Sequence, residues 1–189
     1  MMTNHFDIGE YGACADGKTV NTLAIQRAID ACFLAGGGQV VCGAGVWVTG
    51  SLELKSHVDL HLMAGCRIVG SSKLEDYEML VADGFRHERG PEGSAHGLIW
   101  SVSSENFAIT GQGTIDGSGL DFYDNLESED KLEKPDSPRP RIGMFYRCRD
   151  FRIVDVTFVD SPCWTLWLMQ LVWCWPQALS TLTVTMTMA

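Results

Sequence analysis

The chain has 189 residues, with 24 Asp plus Glu against 14 Lys plus Arg, 46% hydrophobic side chains, 20 Gly and 7 Cys. The length suits one domain or part of one, and so high an apolar share excludes a disordered chain. A formal net charge of -10 excludes wholesale wrapping of nucleic acid or of an anionic membrane, because neutralising phosphates needs a surplus of Lys and Arg.

Met1 to Asp7 has neither the basic nor the apolar stretch of a signal peptide. This places the chain, as written, in the cytoplasm; a misassigned start would make it periplasmic or secreted. Phe6-Asp7-Ile8 reads as a short strand, followed by a Gly/Asp-rich turn. Thr22 to Phe33 then reads as a helix, because Ile25, Ala28, Ile29 and Cys32 recur at i, i+3, i+4 and i+7. Asn21 or Thr22 is its N-cap, and Gly36-Gly37-Gly38 stands just beyond its end. From Gln39 the period falls to 2. Val46, Val48; Leu52, Leu54; Val58, Leu60, Leu62; and Ile68 alternate with polar residues between Gly45, Gly50, Gly65 and Gly70.

Self-similarity organises the middle of the chain. Asn106-Phe107-Ala108-Ile109 is matched 44 residues later by Asp150-Phe151-Arg152-Ile153, and Leu98 to Val102 by Ile142 to Tyr146 at the same spacing. Trp164 follows Ile142 at 22, half that distance. Short strands repeating near 22 with no helix between them predict an all-β fold, the coils of a parallel β-helix, with 44 as one coil plus an insertion. Two insertions are predicted: Ser72 to Ala95, with His87, Arg89 and Pro91, and Ser118 to Pro140, with seven acidic residues from Asp121 to Asp136. In a solenoid such insertions gather on one face and flank a groove.

Several residues invite chemistry. Gly12-Ala13-Cys14-Ala15-Asp16-Gly17-Lys18-Thr19 is a literal phosphate-loop match. Asp16, however, puts a negative charge where phosphates would lie, and the helical pattern begins only at Thr22. Seven cysteines with no Cys-x-x-Cys pair predict neither a zinc site nor a fully paired disulfide framework. No metal site is expected. Arg139, Arg141, Arg147, Arg149 and Arg152 put five cations in 14 residues. The first three are candidate contacts for the carboxylates of a ligand, since the guanidinium fork matches a carboxylate; the alternative is that the cluster balances the acidic insertion. His57 and His61 are read as sharing one strand face, Asp116 as a turn residue, and Trp100, Trp164 and Trp167 as core or sugar-stacking rings.

Many separated motifs occur in one order. They include Asp7-x-x-x-Tyr11-Gly12-Ala13, Asp16-Gly17-Lys18-Thr19, Asn21-Thr22-x-Ala24-Ile25-Gln26, Gly36-Gly37-Gly38-x-Val40-Val41 and Gly50-Ser51-Leu52-x-Leu54-Lys55-Ser56. Gly111-x-Gly113-Thr114-Ile115-Asp116-Gly117, Arg139-Pro140 and Ser161-Pro162-x-Trp164 follow. Together they resemble glycoside hydrolase family 28, the polygalacturonase group, over Phe6 to about Met169. The resemblance implies a right-handed, pectin lyase-like parallel β-helix with one N-terminal capping helix. It also implies inverting hydrolysis of galacturonosyl bonds in pectic oligo- or polysaccharides, with no cofactor. The family's catalytic segments lie beyond the Ser-Pro-x-Trp landmark: Asn-Thr-Asp, an Asp-Asp pair, Gly-His and Arg-x-Lys. None is found here, so no catalytic residue is assigned and the chain is expected to be inactive.

The pattern fails after Asp160, from which no charged residue occurs through Ala189. Residues 1–170 are therefore read as the early coils, and 171–189 as an aberrant tail. Met186-Thr187-Met188-Ala189 is encoded ATG-ACN-ATG-GCN. Read one nucleotide earlier this gives x-Asp-x-Gly, close to the missing Asn-Thr-Asp-Gly, so a shifted reading frame near Gln170 is expected. A non-catalytic carbohydrate-binding module and a nucleotide-binding loop at Gly12 to Thr19 are the competing readings.

Overall fold

The computed structural model describes residues 4–86, 94–123 and 138–171. The tail beyond Leu171, with its expected frame shift, and most of the acidic insertion lie outside these residues, as do His87, Arg89 and Pro91.

The chain winds as a right-handed parallel β-helix with three sheets. Strands β1 (His5–Asp7) and β2 (Asp16–Val20) precede helix α1 (Thr22–Leu34). Four coils follow. The first is β3 (Gly38–Cys42), β4 (Gly45–Thr49) and β5 (Leu52–Glu53), and the second β6 (Val58–Leu62), β7 (Cys66–Gly70) and β8 (Gly97–Val102). The third is β9 (Ala108–Gly111), β10 (Thr114–Asp116) and β11 (Arg141–Tyr146), and the fourth β12 (Arg152–Val154), β13 (Thr157–Val159) and β14 (Leu166–Met169). Sheet A stacks β1-β3-β6-β9-β12, sheet B β2-β4-β7-β10-β13 and sheet C β5-β8-β11-β14.

Helix α1 buries the predicted stripe, Ile25, Ala28, Ile29 and Cys32, and packs on β1, β3, β5 and β6, closing one end of the stack. Asn21 stands at its N-cap, yet its side chain does not cap the helix. Instead Oδ1 accepts from Cys14 N at 2.7 Å and Nδ2 donates to Thr19 O at 2.7 Å, tying the preceding loop to the coil. Part of the expected Gly/Asp-rich turn is strand β2, recruited by its parallel partner β4.

Pairing fixes the coil length. Gly38 lies opposite Val58, Gly45 opposite Cys66 and Gly143 opposite Leu166, so an uninterrupted coil takes 20 to 23 residues. The 44-residue spacing is one coil with its insertion, since Ile99 pairs with Gly143 and Ile109 with Ile153. The spacing of 22 from Ile142 to Trp164 is corrected by one residue: Gly143 aligns with Leu166.

The core is a set of inward ladders. Val40, Leu60, Ile109 and Ile153 stack in sheet A, and Trp47, Ile68, Ile115 and Phe158 in sheet B, all buried. Each large apolar side chain so buried is worth about 1.5–3 kcal/mol. Here the alternation read for Val46 and Val48 points the other way. Trp47 and Thr49 face inward while Val46 is exposed, because Trp47 must lie in register with Ile68. In a period of 2, one large inward ring sets the face of its whole strand.

Corners repeat as faithfully as strands. Ser103, Arg147 and Gln170 have φ of 53°, 55° and 48°, and His57, Asn106 and Asp150 have φ of 65°, 50° and 52°. The same left-handed bend thus recurs on successive coils, filled by polar residues, of which Ser103, Asn106 and Asp150 are short. His57 therefore sits at a corner before β6, outside the face that His61 occupies, and the shared face expected for the two is corrected.

Candidate functional site

Both insertions leave the coil path at one corner, between sheets B and C. The first joins β7 to β8, the second joins β10 to β11, and the shorter 160–165 turn joins β13 to β14. On the outer side of sheet C, Trp100, Met144 and Trp167 form a row, flanked by Tyr146. Residues 83–85 of the first insertion fold onto this row. Phe85 meets Tyr146 at 5.4 Å and Trp167 at 5.7 Å, edge to face. The Asp83 carbonyl accepts from Arg147 Nη1 at 3.2 Å.

Of the three arginines singled out in the sequence, Arg139 and Arg141 lie at this corner, whereas Arg147 follows β11 at the other end of sheet C, where the chain turns toward sheet A. Arg139 is only 2% exposed; its Nη1 donates to Pro162 O at 2.8 Å and to Tyr123 Oη at 2.6 Å, and its guanidinium lies 5.0 Å from the Tyr123 ring centre. It clamps the second insertion to the Ser161-Pro162 turn. Arg141, 3% exposed, donates to Ser94 O and lies 4.1 Å from the Trp167 ring centre. Arg147 is at the surface, where Nε donates to Gln170 Oε1 at 3.0 Å. Arg149 pairs with Glu105.

Among the aromatic candidates, Trp164 is 67% exposed at this corner. Trp100 Nε1 and Ser161 Oγ are buried without a hydrogen-bond partner among the described residues. His96, half-buried beside Ser94, has its pKa lowered by that burial, which favours the neutral ring. Tyr123, Tyr146 and Phe85 were missed in the sequence because each belongs to the site only through contacts between coils, which no local spacing records.

Carboxylates are scarce here. Glu53 is the one carboxylate on the four strands of sheet C, and Lys55 Nζ stands 3.8 Å from it. Asp116 ends β10 buried, accepts from Ser118 N at 2.9 Å and pairs with Arg67. On sheet A, His61 Nδ1 lies 2.8 Å from Thr110 Oγ1, whose hydroxyl donates to Asp59 at 2.8 Å. Among the described residues no three His, Cys, Asp or Glu side chains gather to hold a metal.

The phosphate-loop match is already occupied by its own chain. The backbone N–H groups of Thr19 and Lys18 and the Thr19 hydroxyl all donate to the Asp16 carboxylate, which brings its pKa down to about 2. The Lys18 and Thr19 donors that would cradle a phosphate are spent, and Asp16 to Thr19 lie in strand β2, separated from the N-terminus of helix α1 by Val20 and Asn21.

No protein-family model matches the chain. It is 37% identical over 131 residues to an exo-poly-alpha-D-galacturonosidase of Dickeya chrysanthemi, covering 67% of this chain and 21% of that protein. It is 29% identical over 163 residues to a probable polygalacturonase of Vitis vinifera, covering 83% of this chain and 32% of that one. A hyperthermoactive exopolygalacturonase from Thermotoga maritima superposes with a TM-score of 0.68 at 25% identity, over 86% of this chain and 43% of its own. The relatives are thus polygalacturonases, and the likeness read from the motifs stands. The chain spans about a fifth to a third of the two curated relatives described. Among the described residues no helix is long and apolar enough to cross a membrane.

Proposed function

We propose that the chain is the early-coil part of a glycoside hydrolase that cleaves galacturonosyl bonds of pectic polysaccharides with inversion, and that the described coils contribute sugar contacts and not the chemistry. The observation that carries this reading is the scarcity of carboxylates on sheet C in a chain whose relatives are polygalacturonases. Inverting hydrolysis needs an acid to protonate the leaving oxygen. It needs a second carboxylate to activate water, roughly 6.5–9.5 Å away. Glu53, alone on its sheet and near Lys55, has no such partner on these strands.

Of the three candidate arginines, Arg147 suits a uronate best, because it is exposed beside the Tyr146 ring. Arg139 and Arg141 act one step back. Their buried hydrogen bonds hold the two insertions in place. Trp164 offers a flat apolar face for a sugar ring at the corner between sheets B and C.

The test is release of reducing ends from polygalacturonate by the purified 189-residue protein. We expect none; clear turnover would overturn the assignment of these coils as non-catalytic. Sequencing the DNA across Leu168 to Ala189 tests the frame shift, and a frame whose neighbouring register cannot encode Asp-x-Gly contradicts it.

A further inference from the structure

We infer that the turn Ala82-Asp83-Gly84-Phe85 is a built-in occupant of the outer face of sheet C, which a uronate-bearing oligosaccharide displaces in order to bind there; this rests on the proposed reading of Arg147 as a uronate contact. On sheet B an outward side chain such as Val46 stays 38% exposed. On β11 the outward side chains are covered: Met144 and Tyr146 are 0% and 2% exposed. The turn lies over that stretch, with the Phe85 ring meeting Tyr146 on the third coil and Trp167 on the fourth.

The sequence shapes the turn for this place. Phe85 N donates to Ala82 O at 3.0 Å, and Gly84, the third of the four residues, has a φ of 73°, the left-handed conformation that a type II turn requires there. A Cβ on Gly84 would lie 3.2 Å from Arg147 Nη2 and 3.6 Å from Tyr146 Oη, so the absence of a side chain also allows the close approach. The Asp83 carbonyl then accepts from Arg147 Nη1 at 3.2 Å and from Tyr146 Oη at 3.4 Å. The turn thus offers what an acidic sugar would offer: an acceptor oxygen for Arg147 and Tyr146, and an apolar face for the rings.

Attachment changes along the insertion. Glu78 N donates to Ser51 Oγ at 2.7 Å and Leu80 N to Ala95 O at 2.8 Å, which pins the chain as far as Leu80. Val81 is 82% exposed, and beyond it the turn meets sheet C through the Asp83 carbonyl and the Phe85 ring. Both are uncharged. A carboxylate on Arg147 makes a charge-assisted bond roughly twice as strong as a neutral one, so a uronate gains by displacing the turn where a neutral sugar gains little. Turn and ligand compete for the same donors, and the apparent affinity is scaled down by the fraction of molecules with the turn open.

The experiment titrates the isotope-labelled 189-residue chain with trigalacturonate and follows the nuclear Overhauser contact between the Phe85 ring and the Trp167 indole. Dissociation constants are measured for the unmodified chain, Phe85→Ala and Gly84→Ala, two variants that loosen the turn and leave Arg147, Tyr146 and Trp167 in place. We expect the contact in the free chain and its loss at saturation, with both variants binding about 3- to 10-fold more tightly, as for a turn open in about 10–30% of molecules. A contact that survives saturation, or variants that bind no more tightly than the unmodified chain, overturns the inference and leaves the proposed function standing. Binding by none of the three proteins overturns the reading of Arg147, and the inference with it.

Discussion

Sheets A and B are built from the same repeat as sheet C, yet they carry different burdens. In A and B each coil supplies one short strand, inward residues are apolar apart from Thr49, and five strands stack without interruption. Sheet C is entered through every insertion of the described coils, has four strands, and buries two arginines along its entrance. The regular sheets hold coil spacing constant. The irregular corner can then vary in length while its strands still arrive in register, as Arg141 does opposite Gly97. A solenoid separates stability from recognition in this way, because each coil answers only to its neighbours.

The largest expected effect breaks the regular side. Gly111, with φ of 111°, crosses so close to the coil before it that a Cβ would lie 2.0 Å from Leu62 O. Gly111→Ala is expected to cost about 4 kcal/mol, read from the urea midpoint; an unchanged midpoint would mean the coils do not approach as described. On the irregular side, Arg139→Met leaves the Pro162 carbonyl and the Tyr123 hydroxyl short of a buried donor and should cost about 2–3 kcal/mol. A loss as large as that of Gly111→Ala would erase the contrast between the two sides.

Smaller tests sharpen it. Val46→Ser, on the outward side of β4, should change stability by less than about 0.5 kcal/mol, whereas Trp47→Ser on the same strand should be several-fold worse. Equal losses would restore the face first read from the sequence. Asp16 gives the smallest effect. Its folded pKa of about 2 lies below the ordinary 3.8. Its contribution is therefore complete above the unfolded value and fades as pH falls from about 4 toward 2. A Thr19 amide that exchanges equally fast across that window would show that the carboxylate does not hold it.

Much of this was legible in the sequence. The helix stripe from Ile25 to Cys32, the 44-residue spacing and the two insertions were all readable, because each is a local or periodic signal. The face of β4 was not, since Val46, Trp47 and Val48 offer an apolar run whose phase depends on Ile68 one coil away. The arginines stood out by composition, but composition does not tell a buried side chain from an exposed one. Only the fold places Pro162 beside Arg139 and leaves Arg147 at the surface.

The most direct test of the division between scaffold and recognition side is titration of the isotope-labelled chain with an oligogalacturonate, followed by amide chemical shifts. Shifts are predicted to concentrate along sheet C, at Trp164 where the chain enters it and at Arg147 and Gln170 where the chain leaves it, and to weaken on Arg147→Ala, with the strands of sheet A silent. Shifts centred on Asp59, His61 and Thr110 of sheet A, or none at saturating ligand, would contradict the account.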